Sequence, residues 1–112
     1  MGLDNYWKLP ENVAIEFEPP LNLWGGMLSG HGQGSFRGKV YYSFFINQLD
    51  ISLYENRSNE EVRDIADRLR EIDWNEEFSE EYKAFESKKD LENLKRMFEA
   101  YSKAGASLKA SY

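Results

Sequence analysis

The strongest constraint on the fold is a helix-start signal in the second half of the chain. Residues 58–61 read SNEE, a capping box in which a serine and a glutamate three residues later can each satisfy a free backbone N–H group. An amphipathic helix is therefore expected to begin here, with one apolar face that needs a core to cover it. That face consists of Val62, Ile65, Ala66, Leu69 and Ile72.

Further helical signals follow within the same acidic half, residues 58–104. Ser79 begins a third helical region, which is expected to break where Ser87 resembles another N-cap residue. The last helix carries an apolar stripe, and Gly105 is suited to end it in a left-handed conformation. The stripe consists of Leu91, Leu94, Phe98 and Tyr101.

Residues 36–49 carry conflicting signals. Their composition, which is rich in Val, Tyr, Phe and Ile, favours a strand. Their spacing favours a helix, because the apolar residues fall on one face and the polar residues opposite. A strand would place Ser43 and Asn47 on the same face as Tyr41 and Phe45, so it would separate polar from apolar residues less well than a helix does. We therefore expect a helix with Ser35 as its N-cap, and a strand is the alternative.

The first half of the chain supplies the strand signals. Residues 13–17 alternate apolar and smaller or charged side chains, the period of a half-buried strand, and Pro19-Pro20 ends the pattern. Because a lone strand cannot satisfy its own backbone, it needs a partner, for which residues 106–112 and 51–54 are the candidates. Residues 21–34 lack regular periodicity and are expected to form a loop.

Together these segments predict a small α+β fold, in which a sheet of two to four strands packs against three or four helices. A chain of 112 residues fits a single domain, here residues 1–112, and 41% hydrophobic residues can build its core. The absence of cysteine excludes disulfides and thiolate chemistry and fits a reducing compartment. With no signal peptide and no apolar run near ~18 residues, we expect a cytoplasmic protein without a membrane partner.

Charge is distributed unevenly along the chain. The formal net charge of −6 argues against direct nucleic-acid binding through a basic surface. Residues 19–49 contain no acid but include Arg37 and Lys39, whereas residues 55–92 carry 14 acids against 7 bases. Two surfaces of opposite character are therefore expected, and each suggests a function.

Residues 24–39 form a glycine-rich loop that holds six of the eight glycines. Glycine leaves backbone N–H groups open to a ligand, and a helix that begins near residue 35 would add its positive dipole. We expect this loop, chiefly residues 25–39, to hold an anionic small molecule, with a phosphate-bearing, nucleotide-like ligand as the predicted class. The predicted ligand-binding residues are Ser29, Gly30, His31, Gly32, Gly34, Ser35, Arg37 and Lys39.

The loop matches neither common phosphate-binding signature. Lys39 is followed by Val40 instead of Ser or Thr, and the third glycine of GHGQG comes one residue early for a dinucleotide fingerprint. His31 is the only histidine, but no Asp or Glu between residues 19 and 49 could orient it as a base. We therefore expect binding or sequestration without turnover, and no catalytic residue, cofactor or metal site. A purely structural loop is the alternative.

A second hypothesis assigns the function to the acidic helices. Dense acids and exposed aromatic residues could occupy a basic surface of a partner protein, as inhibitors and immunity or anti-defence proteins do. Arg63, Arg68 and Arg70 interleave with the acids, a pattern that is also typical of a solvated helix surface. The residues predicted for this interface are Glu60, Glu61, Asp64, Asp67, Glu71 and Trp74.

Overall fold

The computed structural model describes residues 2–17, 27–29 and 34–112. Within these ranges the chain forms four strands and four helices. In chain order they are β1 (Asp4–Lys8), β2 (Met27–Ser29), β3 (Gly34–Phe36), α1 (Gly38–Leu49), α2 (Asn59–Arg70), α3 (Phe78–Glu81), α4 (Lys88–Lys103) and β4 (Ser107–Ser111). The predicted α+β class, with its small sheet and three or four helices, is confirmed.

The strands form one antiparallel sheet in the order β2-β3-β1-β4. β1 lies between two partners, so that Tyr6 faces Ser35 of β3 on one side and Lys109 of β4 on the other. β2 and β3 form a hairpin in which Ser29 faces Gly34. The prediction that residues 21–34 are all loop is therefore wrong for the residues of β2 and for Gly34.

The first strand of the sheet is not the one that the sequence predicts. In β1, Asn5 and Trp7 are buried while their neighbours face outward. Residues 13–17 belong to no strand, although Ile15 and Phe17 are half-buried against the core. Their alternation reflects burial on one side, and none of the described strands pairs with them, so the predicted first strand is wrong.

The predicted carboxyl-terminal strand is present as β4, and its partner is β1. Residues 51–54 are not a strand, but the chain just beyond them covers the outer edge of β4. Arg57 N–H donates to the Leu108 carbonyl at 2.8 Å, and Leu108 N–H donates back at 2.9 Å. Asn56 Oδ1 accepts the Ala110 N–H at 2.8 Å. Backbone groups that would attract another strand are thus occupied at these positions.

Helix α1 settles the conflicting signals of residues 36–49 in favour of a helix, but it begins later than predicted. Its N-cap is Arg37, whose side chain makes no capping hydrogen bond. Ser35, the predicted N-cap, lies in β3 and is only 3% exposed. Residues of β3 therefore pair with β1, and the helix begins only after this strand ends.

The capping box predicted at Ser58 and the N-cap predicted at Ser87 are both present, and Ser87 also begins a capping box. Ser58 accepts a hydrogen bond from the Glu61 N–H at 3.3 Å, and Glu61 Oε1 accepts the Ser58 N–H at 3.1 Å. Ser87 is the N-cap of α4, and Asp90 accepts its backbone N–H. Gly105 follows α4 with φ of 84°, the left-handed conformation expected at a helix end.

The core lies between the sheet and the helices and is rich in aromatic rings. Trp7 stacks on Tyr101 of α4, with ring centroids 4.5 Å apart and planes 3° from parallel. A second aromatic group surrounds Phe44 of α1 and consists of Phe78, Tyr82 and Phe85. This group fixes α1 against α3 and the residues that follow α3.

Candidate functional site

The predicted glycine-rich site is described only in part. Gly30, His31 and Gly32 lie outside the described residues, and their ligand contacts stay predictions. The backbone of Gly34 is already engaged within the protein, because it pairs with Ser29 and bonds to the Tyr101 hydroxyl. Burial raises the pKa of Tyr101 above the ordinary value of 10.0, and this hydrogen bond opposes the rise.

The two cations of the predicted site follow β3, beyond the end of the strand that is opposite to Gly34. Ser35 is buried within the strand, whereas Arg37 and Lys39 are exposed beyond its far end. Gly34 and Arg37 are three residues apart along extended chain, a span of about 10 Å. The structure therefore brings Arg37 and Lys39 to the start of α1, away from the end of the hairpin that bears Gly34.

The first turn of α1 already uses backbone N–H groups that the sequence hypothesis left for a ligand. Lys39 N–H donates to the Leu3 carbonyl at 3.0 Å, and Val40 N–H donates to the Arg37 carbonyl at 3.1 Å. The turn contains no acid, so the positive end of the helix dipole is not compensated there. An anion at this position would be held by side chains and not by these two N–H groups.

Lys39 lines a groove of about 420 Å³ between α1 and the residues at and after the end of α3. We call it the lysine groove. Its lining consists of Lys39, Val40 and Ser43 from α1, and Glu81, Tyr82 and Lys83 from the other side. Tyr82 is 3% exposed, and its hydroxyl accepts a hydrogen bond from Gln48 Nε2 at 3.1 Å. The contact between Tyr82 and Phe44 holds the two sides together.

The two lysines of this groove differ from three of the six arginines of the chain. Within the described part of the chain, neither Lys39 nor Lys83 has a carboxylate at ion-pair distance, and both are exposed. By contrast, Arg57, Arg68 and Arg70 each pair with an acid. Sequence reasoning missed Lys83, because it stands 44 positions beyond Lys39 and no local motif links them.

The acids predicted to bind a partner protein fall into two groups. Three of them form ion pairs: Glu61 with Arg57 at 3.2 Å, Asp64 with Arg68 at 3.1 Å, and Asp67 with Arg70 at 3.1 Å. The hydrogen bond from the Ser58 backbone, and then that from Arg57, lower the pKa of Glu61 below 4.5. Glu60 is exposed and forms no ion pair among the described residues. Much of the negative charge of α2 is therefore compensated locally.

Glu71 and Trp74 belong to a different surface, the acidic depression, which has a volume of about 820 Å³ beside the α2–α3 connection. Residues 71–82 contain six acids and no base. Their net charge of −6 equals that of the whole chain. All six are exposed: Glu71, Asp73, Glu76, Glu77, Glu80 and Glu81. Trp74 is partly exposed and packs edge-on against Phe78, with ring centroids 5.7 Å apart. Lys95 Nζ, which donates to the Ile72 carbonyl, brings one positive charge to this side.

The described residues provide neither a metal-binding cluster nor a membrane-spanning helix. Within residues 2–17, 27–29 and 34–112, no cluster of three or more His, Asp or Glu side chains is arranged to hold a metal ion. In the same ranges no helix is both long enough and apolar enough to cross a membrane. The cytoplasmic location stays a prediction.

No protein-family model, curated protein or solved structure matches this chain. Its function is therefore inferred from its own side chains. Two surfaces carry that inference, the lysine groove beside α1 and the acidic depression after α2.

Proposed function

We propose that the protein binds an anionic small molecule in the lysine groove. The observation that carries the proposal is the presence of Lys39 and Lys83 on the two sides of one groove, without carboxylate partners in the described part of the chain. A carboxylate or phosphate placed between them would accept charge-assisted hydrogen bonds from both ammonium groups. Such bonds are shorter and stronger than those between neutral groups.

This proposal keeps the anion-binding function expected from the sequence, but it places the ligand in the lysine groove instead of the glycine-rich loop. Lys39 belongs to both versions of the site, Arg37 belongs to the glycine-rich loop alone, and Lys83 belongs to the groove alone. Among the described residues that line the groove there is no histidine, the commonest general base near neutral pH, and His31 lies outside the described residues. Binding or sequestration without turnover is therefore the proposed activity, and a nucleotide-like ligand in the loop stays a prediction.

A thermal-shift titration tests the proposal. Inorganic phosphate, mononucleotides, sugar phosphates and small carboxylates serve as ligands, and a ligand at a hundred times its dissociation constant stabilises the fold by about 2.7 kcal/mol. For a domain of this size that is a shift of several degrees. Lys39→Ala and Lys83→Ala should each remove the shift. Lys109→Ala, which changes an exposed lysine of β4, should keep it and is the matched control.

Arg37→Ala distinguishes the two versions of the anion site. Loss of binding in Arg37→Ala with retention in Lys83→Ala would move the site to the glycine-rich loop. Loss in Lys83→Ala with retention in Arg37→Ala would support the groove. If no anion shifts the melting temperature of the unmodified protein, the proposal fails.

The acidic depression supports a second candidate function, the binding of a basic protein surface. Five exposed acids line it, and residues 71–82 contain no base, whereas three acids of α2 have arginine partners. Trp74 adds a partly exposed aromatic ring to the same surface, and tryptophan is enriched among the residues that dominate binding energy. Uncompensated charge of one sign speeds association with a partner of the opposite sign.

An arginine-rich nonapeptide is a suitable probe for this second function. The chain has three tryptophans, so a change in fluorescence on titration reports on the depression only if Trp74→Phe, which retains Trp7 and Trp24, lacks it. Glu76→Gln/Glu77→Gln should weaken binding, whereas Glu60→Gln/Asp64→Asn removes the same amount of charge from α2 and should weaken it less. Equal weakening by the two double variants would indicate a general charge effect and contradict a site at the depression.

A further inference from the structure

From the lining of the lysine groove we infer the class of its ligand, a monocarboxylate with an apolar body. This inference rests on the proposed function, because it concerns the same groove and the same two lysines. It goes further by naming the charge and the polarity of the ligand. Two features of the lining carry it, its net charge and its apolar walls.

The net charge of the lining suits one negative charge and not two. Lys39 and Lys83 contribute two positive charges, and Glu81 contributes one negative charge to the same groove. Glu81 also lines the acidic depression, so the negative potential of that surface reaches the groove from one side. A monoanion balances the lining, whereas the second charge of a phosphate dianion would face Glu81 without a counter-charge.

The walls between the charged groups are apolar. Val40 is half-buried, and Tyr82 is almost fully buried beside it in the lining. Lys39 and Lys83 belong to the same lining, and a lysine side chain carries an apolar four-carbon stem below its charge. Apolar walls reward an apolar ligand body, by about a fourfold gain in affinity for each fully buried methylene group. Ser43 adds one exposed hydroxyl that can donate to a carboxylate oxygen. Simple inorganic anions leave these walls without a partner.

The volume of the groove limits the size of the ligand. At about 420 Å³ it lies toward the small end of the range of roughly 300–1,000 Å³ that is typical of small-molecule sites. A short or medium-length acyl chain or a single ring fits this space better than a dinucleotide. Butanoate, hexanoate and octanoate are therefore suitable probes.

Titration calorimetry of the full chain with these three carboxylates tests the inference. Affinity should rise from butanoate to hexanoate by about fourfold per buried methylene, and hexanoate should bind more tightly than inorganic phosphate. Lys39→Ala and Lys83→Ala should each weaken hexanoate about tenfold or more, since each removes a charge-assisted hydrogen bond. Lys109→Ala should leave the affinity unchanged.

Two further variants separate the roles of the walls and the charge. Ser43→Leu, at an exposed position, should fill the groove and abolish the dependence on chain length. Glu81→Gln should strengthen the binding of phosphate more than that of hexanoate, because it removes the negative charge that opposes a dianion.

The outcomes distinguish this inference from the proposed function. Phosphate binding that requires Lys39, with no gain from butanoate to hexanoate, would overturn the inference and leave the proposed function standing. Equal affinity for hexylamine and hexanoate would also overturn it, because the lysines would then not select an anion. If no anion binds at all, both fail.

Discussion

Replacing Gly38 by alanine tests the contact that positions the start of α1, and with it Lys39. A Cβ atom at residue 38 would lie 1.8 Å from Asn5 Oδ1 and 3.0 Å from Leu3 Cδ2, whereas Cβ contacts under 3.0 Å essentially never occur. Asn5 is fully buried in the central strand, and its Nδ2 donates to the Leu53 carbonyl at 2.9 Å. The amide cannot move away from the new methyl group without disturbing this hydrogen bond.

The expected cost follows from three contributions. Leaving the amide of Asn5 without its buried partner costs about 1–3 kcal/mol. Forcing an extra methyl group into a packed core costs about 1–3 kcal/mol. The better helix propensity of alanine returns about 0.5–1 kcal/mol. Gly38→Ala should therefore lower the free energy of unfolding by about 3 kcal/mol, a large fraction of the total for a domain of this size.

Urea denaturation followed by circular dichroism measures this change, provided that the slope of the transition is unaltered. Gly2→Ala is the control, because the nearest atom to a Cβ at residue 2 is 3.8 Å away and the substitution should be nearly neutral. Asn5→Ala/Gly38→Ala should cost less than the sum of the two single changes, since the first removes the atoms that meet the second. Stability of Gly38→Ala within about 0.5 kcal/mol of the original protein would refute the steric reasoning.

Three further changes probe the helices. Gly105→Ala places a side chain at φ of 84° and 3.1 Å from Pro10 Cγ, and should lower stability by about 1–2 kcal/mol in thermal unfolding. Ser58→Ala removes the cap of α2 and should cost about 1 kcal/mol in urea, whereas an unchanged midpoint would contradict the role of the capping box. Because the folded-state pKa of Glu61 is lowered, its contribution is present above the unfolded value of 4.5 and is lost as pH falls through the folded value. Glu61→Gln should therefore show a smaller loss of stability between neutral pH and pH values below 4.5, and an identical loss would contradict this role.

The helices could be predicted from the sequence because their signals are local. A cap residue and its partner three positions later lie within one turn, as do the apolar residues that share a face. In α1 the spacing of the apolar residues predicts the helix correctly, whereas the composition favours a strand. Phe44 and Phe45 are adjacent and both buried, which a helix allows and an alternating strand does not. What the sequence could not supply was the start of α1, because pairing of residues 34–36 with β1 delays the helix to Gly38.

The strands were harder to predict because pairing is not local. β1 reads DNYWK and includes Asp4 and Asn5, two residue types that are depleted in strands. It is nevertheless the central strand, because β3 and β4 satisfy its backbone on both sides. Residues 13–17 have the better alternation, but they are not a strand, and none of the four described strands pairs with them. Alternation therefore indicates which side of an extended segment is buried, and it does not indicate whether the segment joins a sheet.

The candidate site shows the same limit for charged residues. From the sequence, Lys39 and Arg57 are both cations, yet the fold gives Arg57 two carboxylate partners and brings Lys39 to a groove opposite Lys83. The groove exists because Phe44 and Tyr82 pack together across a long stretch of chain, a contact that no spacing rule reveals. A cation that is already paired contributes to stability, whereas one that faces an apolar groove without a carboxylate partner is available to a ligand. The sequence therefore identifies Lys39 within residues 24–39, and only the tertiary contacts add Lys83 to the same site.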